Sequence, residues 1–257
     1  MMLLHLNKYS TAAILLFGAA AVFIDIALIT NSQDLTSSVY VISGMVCVIT
    51  GIFTLTFSWT EPVDPRLLGI LPAQAIINLC STTQLLSITG NAYFLPPRIT
   101  GENRVMQFNP TTSFQWSEDS AKGSFLESSP PGLVTAPLCD LLIQDLKKRN
   151  ALVIPNEEEN LTKLLRETIE DVFKFAPRVS AIWHGNSVTI TFHNYPSIDG
   201  CKFITKGSPL CCTKHPCPMC SLCGVLIAEG TDKVVTLHKC SITPSSHDVT
   251  AFFLTLP

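Results

Sequence analysis

Seven of the ten cysteines lie between Cys201 and Cys240, and five of these seven fall within the segment CCTKHPCPMCSLC. Thiolates and imidazoles are the usual protein ligands of zinc, and Cys217 and Cys220 have the C-x-x-C spacing of a zinc knuckle. We therefore predict a metal site whose ligands are Cys212, Cys217, Cys220 and Cys223, with Cys211, His215 and Cys240 as further partners.

The spacing of the same cysteines also matches parts of two iron–sulfur motifs. Cys212, Cys217 and Cys220 reproduce part of the plant-type ferredoxin pattern, and Cys217, Cys220 and Cys223 reproduce part of the bacterial run. The fourth position of the bacterial run holds Ile227 instead of cysteine. Zinc and an iron–sulfur cluster are therefore the two cofactors that the spacing suggests.

Two other interpretations of the cluster need no cofactor. Cys217 and Cys220 lie at the start of a predicted helix, where the helix dipole makes a thiol more reactive, which favours redox chemistry. No βαβ pattern of the thioredoxin type precedes them. Alternatively, cysteines behave as small apolar side chains and simply pack a core. Metal binding, redox chemistry and packing all stay open at this point.

The remainder of the sequence contains no recognised catalytic motif. It lacks a P-loop, a G-x-S-x-G segment, an H-E-x-x-H segment and a dinucleotide-binding glycine pattern. The other histidines are scattered, and we expect them to be ordinary surface or core residues: His5, His184, His193 and His247. An enzyme is not indicated. The net charge of −3 and the absence of a basic cluster argue against a nucleic-acid partner.

Two long apolar runs begin the chain, at Thr11–Thr30 and Val39–Trp59. Each has the roughly 20 residues that a helix needs to cross the hydrocarbon core of a bilayer. The short segment between them predicts an antiparallel hairpin over residues 1–60. We expect Gly44 and Gly51 of the second helix to face Gly18 and Ala21 of the first, which lets the backbones approach closely.

The charges next to these runs indicate an orientation in the cell membrane. Lys8 precedes the first run, Asp34 lies between the two, and Arg66 follows the second. Basic flanks are retained in the cytoplasm, so both termini are predicted there. Many free thiols also suit a reducing compartment. We expect a multi-pass membrane protein with a cytoplasmic soluble domain.

Residues 61–257 predict one α+β domain, with a candidate internal boundary in the Ser-, Gly- and Pro-rich stretch 118–132. The predicted helices are 73–89, Ala136–Lys148, Asn160–Phe175 and Met219–Ala228. The predicted strands are Arg104–Phe108, Ser113–Trp116, Val179–Trp183, Val188–Phe192, Lys233–Ser241 and Val249–Leu256. We expect a two-layer arrangement, with the helices on one face of an antiparallel sheet.

Several segments resemble a group of uncharacterised archaeal membrane proteins from methanogens and halophiles. The likeness rests on the two apolar runs, on Asn91-Ala-Tyr-Phe-Leu-Pro-Pro, on Pro131-Gly-Leu, and on Phe173-Lys-Phe-Ala-Pro before a strand pair. The resemblance implies two membrane helices followed by an α/β domain, and it implies no activity.

The sequence as a whole predicts a membrane-anchored binding or interaction protein. Its expected partners are the lipid bilayer and a protein, either another chain or a second copy of this one. The alternative is a metal-binding or thiol-redox membrane protein that uses the 211–223 cysteine cluster.

Overall fold

The computed structural model describes residues 8–30, 35–58, 65–111, 114, 116, 131–149, 152–243 and 245–256. The chain divides into two compact units, Met1–Val63 and Asp64–Pro257. The candidate boundary at 118–132 and the predicted strand Ser113–Trp116 fall mostly outside the described residues.

The first unit is a pair of helices, α1 (Lys8–Thr30) and α2 (Leu35–Ser58). The two glycines of α2 face α1, but they lie against other residues than the predicted Gly18 and Ala21. A Cβ atom on Gly44 would meet Ile24 and the carbonyl oxygen of Ala20, and one on Gly51 would meet Phe17. The expected role of Gly18 is wrong, because a Cβ atom there would meet nothing within 4 Å.

Both helices are long and apolar enough to cross a membrane, over Tyr9–Thr30 and Ser37–Thr56. Many of their large apolar side chains are exposed, as a lipid-facing surface requires, and examples are Leu15, Ile29 and Phe53. In the second unit, Ile198–Gly207 and Cys211–Thr231 together reach the same length and apolarity, but they are bent by 104°. The latter stretch is largely buried within its own unit.

The second unit is built on a seven-stranded sheet in which all neighbouring strands are antiparallel, in the order β3-β2-β1-β6-β7-β5-β4. The strands are β1 (Tyr93–Leu95), β2 (Met106–Pro110), β3 (Gly132–Thr135), β4 (Arg178–His184), β5 (Ser187–His193), β6 (Val234–Thr243) and β7 (Asp248–Leu256). The prediction of an antiparallel sheet combined with helices is thus confirmed.

The helices of this unit are α3 (Pro65–Leu85), α4 (Pro97–Thr100), α5 (Asp140–Lys148), α6 (Glu158–Glu167), α7 (Ile198–Gly207), α8 (Cys211–Lys214) and α9 (Pro218–Thr231). A π-helical turn, Thr168–Val172, extends α6. Helices α7 and α8 cover part of the cysteine-rich segment, where no helix was predicted before Met219. The expected start of α3 after Pro72 is also wrong, since Pro72 lies inside the helix.

The sheet and its helices share one large core. Alternate residues of β5 are buried, namely Val188, Ile190 and Phe192. Helix α9 packs close to the sheet because Gly224 has no side chain, and a Cβ atom there would collide with the ring of Phe94. This close approach fixes the beginning of α9, which carries Cys217 and Cys220, relative to the strands.

Candidate functional site

An apolar pocket of about 400 Å³ lies within the second unit, where the start of α9 meets α3, α5 and α7. Its lining combines thiols with leucine, isoleucine, proline and aromatic side chains. The lining residues are Gly69, Pro72, Leu138, Cys139, Leu141, Leu142, Phe175, Tyr195, Ser197, Gly200, Cys201, Ile204, Cys217, Pro218 and Met219. Among these described residues there is no Asp, Glu, Lys, Arg or His.

One wall of the pocket depends on the close crossing of α3 and α7. A Cβ atom on Gly69 would lie 2.6 Å from the carbonyl oxygen of Ser197, and one on Gly200 would collide with the backbone of Gly69. The two helices can therefore approach this closely only because both positions are glycine. Buried Ala73, Ile76 and Cys80 continue the contact face of α3 into the core.

Cys217 lies at the N-terminus of α9, at the wall of this pocket. The following residue, Pro218, begins the helix, because proline at the first helical position loses no hydrogen bond. Hydrogen bonds from the thiols of Cys201 and Cys220 hold the pKa of Cys217 well below its usual range, although burial opposes this shift. Backbone N–H groups of Met219 and Cys220 favour the thiolate further.

Five thiols form a continuous chain of contacts through Cys201, Cys217, Cys220, Cys240 and Cys212. The donors in this chain have raised pKa values. The hydrogen bond that Cys201 gives to Cys217 raises its pKa, and the one that Cys212 gives to Cys240 acts in the same way. The hydrogen bond from Cys212 and the contact with Cys220 lower the pKa of Cys240 to about 5. Within this chain of thiols, the pKa is therefore lowered at Cys217 and Cys240 and raised at Cys201, Cys212 and Cys220.

The structure separates several of the predicted metal ligands from this chain of thiols. Cys211 points towards α3, where its thiol is 3.5 Å from the carbonyl oxygen of Ile76. Burial raises the pKa of Cys211 to about 12. Cys223 is fully buried, and burial also raises its pKa. Both side chains therefore resemble packed thiols more than ligands.

His215 also faces α3, with its Nε2 2.7 Å from Oγ1 of Thr83. Because the Thr83 hydroxyl already donates to the carbonyl oxygens of Leu79 and Cys80, Nε2 of His215 is assigned as the donor to Thr83. Burial lowers the pKa of His215 to about 4, so the ring is neutral near pH 7. The Nε2 atom of His215 thus already makes a hydrogen bond within the protein.

Within the described residues, no group of three or more His, Cys, Asp and Glu side chains is arranged to hold a metal ion. Cys217 and Cys220 are in contact, as the C-x-x-C spacing led us to expect, and Cys212 and Cys240 form a second contact. The metal site itself stays a prediction. Cys201 is the unexpected member of the chain of thiols, because the sequence pattern did not connect it with Cys217.

Comparison of the chain with models of known protein families, with curated proteins and with solved structures finds no match. Any assignment of function therefore depends on the geometry of the chain itself.

A second cavity of similar size, about 370 Å³, has a different character. Its lining includes Arg104, Asp140, Lys147 and Glu229. These charges are paired across the cavity wall, with 2.7 Å between Arg104 and Asp140 and 2.5 Å between Lys147 and Glu229. Paired charges leave little net charge to attract an ionic ligand, so this cavity is the weaker candidate.

The strands also bring together Ser180, His193 and Asp248, which the sequence analysis did not connect. Oγ of Ser180 is 3.1 Å from Nε2 of His193, and Nδ1 of His193 is 3.2 Å from Oδ2 of Asp248. The backbone N–H of Asn194 donates to the other carboxylate oxygen and holds it in place. The order serine, histidine, aspartate is that of a nucleophile, its base and the group that orients the base.

Proposed function

We propose that this protein is a membrane-anchored binding protein whose second unit takes a single aliphatic chain into the pocket lined by Cys201 and Cys217. The observation that carries the proposal is a pocket of about 400 Å³ whose described lining contains no charged residue. Pockets of this volume are typical of ligand sites, and apolar lining selects an apolar ligand.

Because the described lining of the pocket carries no charged side chain, only the apolar part of a ligand is expected to enter the pocket. A carboxylate or phosphate buried without a partner costs several kcal/mol, so the polar end of the ligand stays in water. The aliphatic part gains about 0.8 kcal/mol for each methylene group that it buries. Two additional methylene groups should therefore tighten the dissociation constant roughly tenfold, until the pocket is full.

The entrance of the pocket supports an apolar ligand. Leu138 is 45% exposed and Leu141 is 80% exposed, and both line the pocket. Large apolar side chains at a pocket entrance are costly in water and mark a surface that contacts apolar molecules.

The membrane anchor provides the source of such chains. Only residues 59–64 separate α2 from α3, so the second unit is tethered to a bilayer that consists of aliphatic chains. The flanking charges and the free thiols support a cytoplasmic location for this unit. Its buried alternate residues on β5 support the two-layer arrangement, and the short motifs support membership of the archaeal group described above.

A fluorescence titration tests the proposal. The full chain is reconstituted in nanodiscs and titrated with fatty acids of increasing length that displace a chain carrying an environment-sensitive dye. We expect Leu142→Trp to abolish saturable binding, because Leu142 lines the pocket and tryptophan would fill it. Ile182→Trp is the matched control, since Ile182 is exposed on β4 and does not line the pocket. Equal binding by both variants would refute the proposal.

A second candidate function is ester hydrolysis by Ser180, favoured by the short distances from Ser180 to His193 and from His193 to Asp248. Ser180 also borders a groove with Lys163 and Arg166 of α6. A fluorophosphonate probe should label Ser180, and labelling should fall strongly in His193→Gln, in which the base is lost. Unchanged labelling in His193→Gln would show that the contacts of His193 with Ser180 and Asp248 are structural hydrogen bonds only.

A further inference from the structure

We propose that Cys217 and Cys201 form a peroxide-reducing thiol pair, which converts a hydroperoxide group on the aliphatic chain in the pocket to an alcohol. This inference rests on the proposed function, since the pocket must first take the chain. It adds a chemical activity that aliphatic-chain binding alone does not imply.

The geometry supplies three features that this activity needs. Cys217 is only 9% exposed, but it lines the pocket, so a chain in the pocket reaches a sulfur that bulk solvent barely touches. Cys201 lines the same pocket from α7 and hydrogen-bonds to Cys217, so a second thiol is already in place. Cys217 also lies at the positive end of the α9 dipole, which favours its thiolate.

The reaction balances with these two thiols and one hydroperoxide. The thiolate of Cys217 attacks the terminal oxygen of the hydroperoxide, the O–O bond breaks, and a sulfenic acid forms on Cys217. The leaving alkoxide takes the proton of the Cys201 thiol and becomes an alcohol. The new Cys201 thiolate then attacks the Cys217 sulfur, forming a disulfide and releasing hydroxide, which takes up a proton from the buffer and becomes water. The hydroperoxide gains two electrons, and the two thiols lose them.

The structure also explains why Cys217 is the attacking sulfur of the pair. The Cys201 thiol donates its hydrogen bond to the Cys217 sulfur, and Cys217 lies at the N-terminus of α9. Cys201 is therefore placed to donate a proton, and Cys217 is placed to attack a group in the pocket that both residues line. Tyr195 lines the same pocket, and burial raises its pKa, so its phenol adds no charge.

The test is a single-turnover experiment on the full chain in nanodiscs, reduced and then freed of reductant. Linoleic acid hydroperoxide is added, the alcohol product is quantified by chromatography, and disulfides are located by peptide mass spectrometry. We expect one alcohol per protein and a Cys201–Cys217 disulfide. Cys217→Ala should abolish product, and Cys201→Ala should leave a sulfenic acid on Cys217 that dimedone traps. Cys80→Ala, a buried cysteine that does not line the pocket, should behave as the native chain.

The outcomes separate this inference from the proposed function. Displacement of the dye-labelled chain by unoxidised linoleic acid, with no alcohol formed, would overturn the thiol pair and leave aliphatic-chain binding intact. Loss of both would overturn both. A disulfide between Cys217 and Cys220 would overturn the role given to Cys201, and product formation by Cys217→Ala would overturn the role given to Cys217.

Discussion

Buried, neutral His215 predicts a specific pH dependence of stability. Burial lowers the pKa of His215 from 6.5 to about 4 in the folded protein. Above pH 6.5 the ring is neutral in both the folded and the unfolded state, so its contribution to stability is complete. As the pH falls from 6.5 to about 4, His215 binds a proton in the unfolded state but not in the folded state. The free energy of unfolding therefore decreases.

The size of this effect follows from the shift in pKa. One pKa unit corresponds to about 1.4 kcal/mol, so the loss approaches about 3 kcal/mol across this window. That is a large part of the stability of an ordinary domain. His215→Gln should remove this part of the pH dependence, because a glutamine amide can still donate to Thr83 but does not titrate.

The measurement is urea unfolding of the full chain in detergent micelles, followed by tryptophan fluorescence, to which Trp183 contributes from its hydrogen bond to Thr162. His184→Gln is the control, since His184 is exposed. We expect the stability of the native chain and of His184→Gln to fall between pH 6.5 and about 4, and that of His215→Gln to fall much less. Parallel curves for all three proteins would refute the assignment of a buried, neutral His215.

Three further predictions concern the pocket and its thiols. Gly200→Ala places a methyl group against the backbone of Gly69, so unfolding measurements should show a loss of about 1–3 kcal/mol, whereas Gly18→Ala, with open space around it, should show little loss. The rate of Cys217 alkylation by iodoacetamide, measured by peptide mass spectrometry, should stay high well below pH 9, where an ordinary thiol is protonated. An alkylation rate that rises with hydroxide concentration up to pH 9 would contradict the lowered pKa of Cys217. Elemental analysis of the native chain should find no stoichiometric zinc or iron; metal that is lost in Cys217→Ser would establish the metal prediction and overturn the thiol pair.

Those parts of the fold that depend on local pattern were predictable from sequence. The two apolar helices follow from run length, and β5 follows from the alternation of Val188, Ile190 and Phe192 with threonines. The third strand, Gly132–Thr135, was missed because it is short and adjoins a Ser-, Gly- and Pro-rich stretch that resembles a loop. Its strand character comes from pairing with β2, and local sequence does not encode such a pairing.

The candidate site was predictable only in part for the same reason. The contact between Cys217 and Cys220 follows from their spacing at the start of a helix. The contact between Cys217 and Cys201 joins the start of α9 to α7, and no local pattern reveals that these two segments meet. Ser180 and Asp248 are likewise brought to His193 by strand register.

The central claim is that an aliphatic chain occupies the pocket at the start of α9. The most direct measurement is photo-crosslinking of the nanodisc-embedded full chain with a diazirine fatty acid, followed by peptide mapping. We expect adducts on Leu138–Leu142 and on the α7 and α9 residues that line the pocket, and we expect them to be competed by unlabelled fatty acid and absent in Leu142→Trp. Adducts confined to α1 and α2, with none on the second unit, would contradict it.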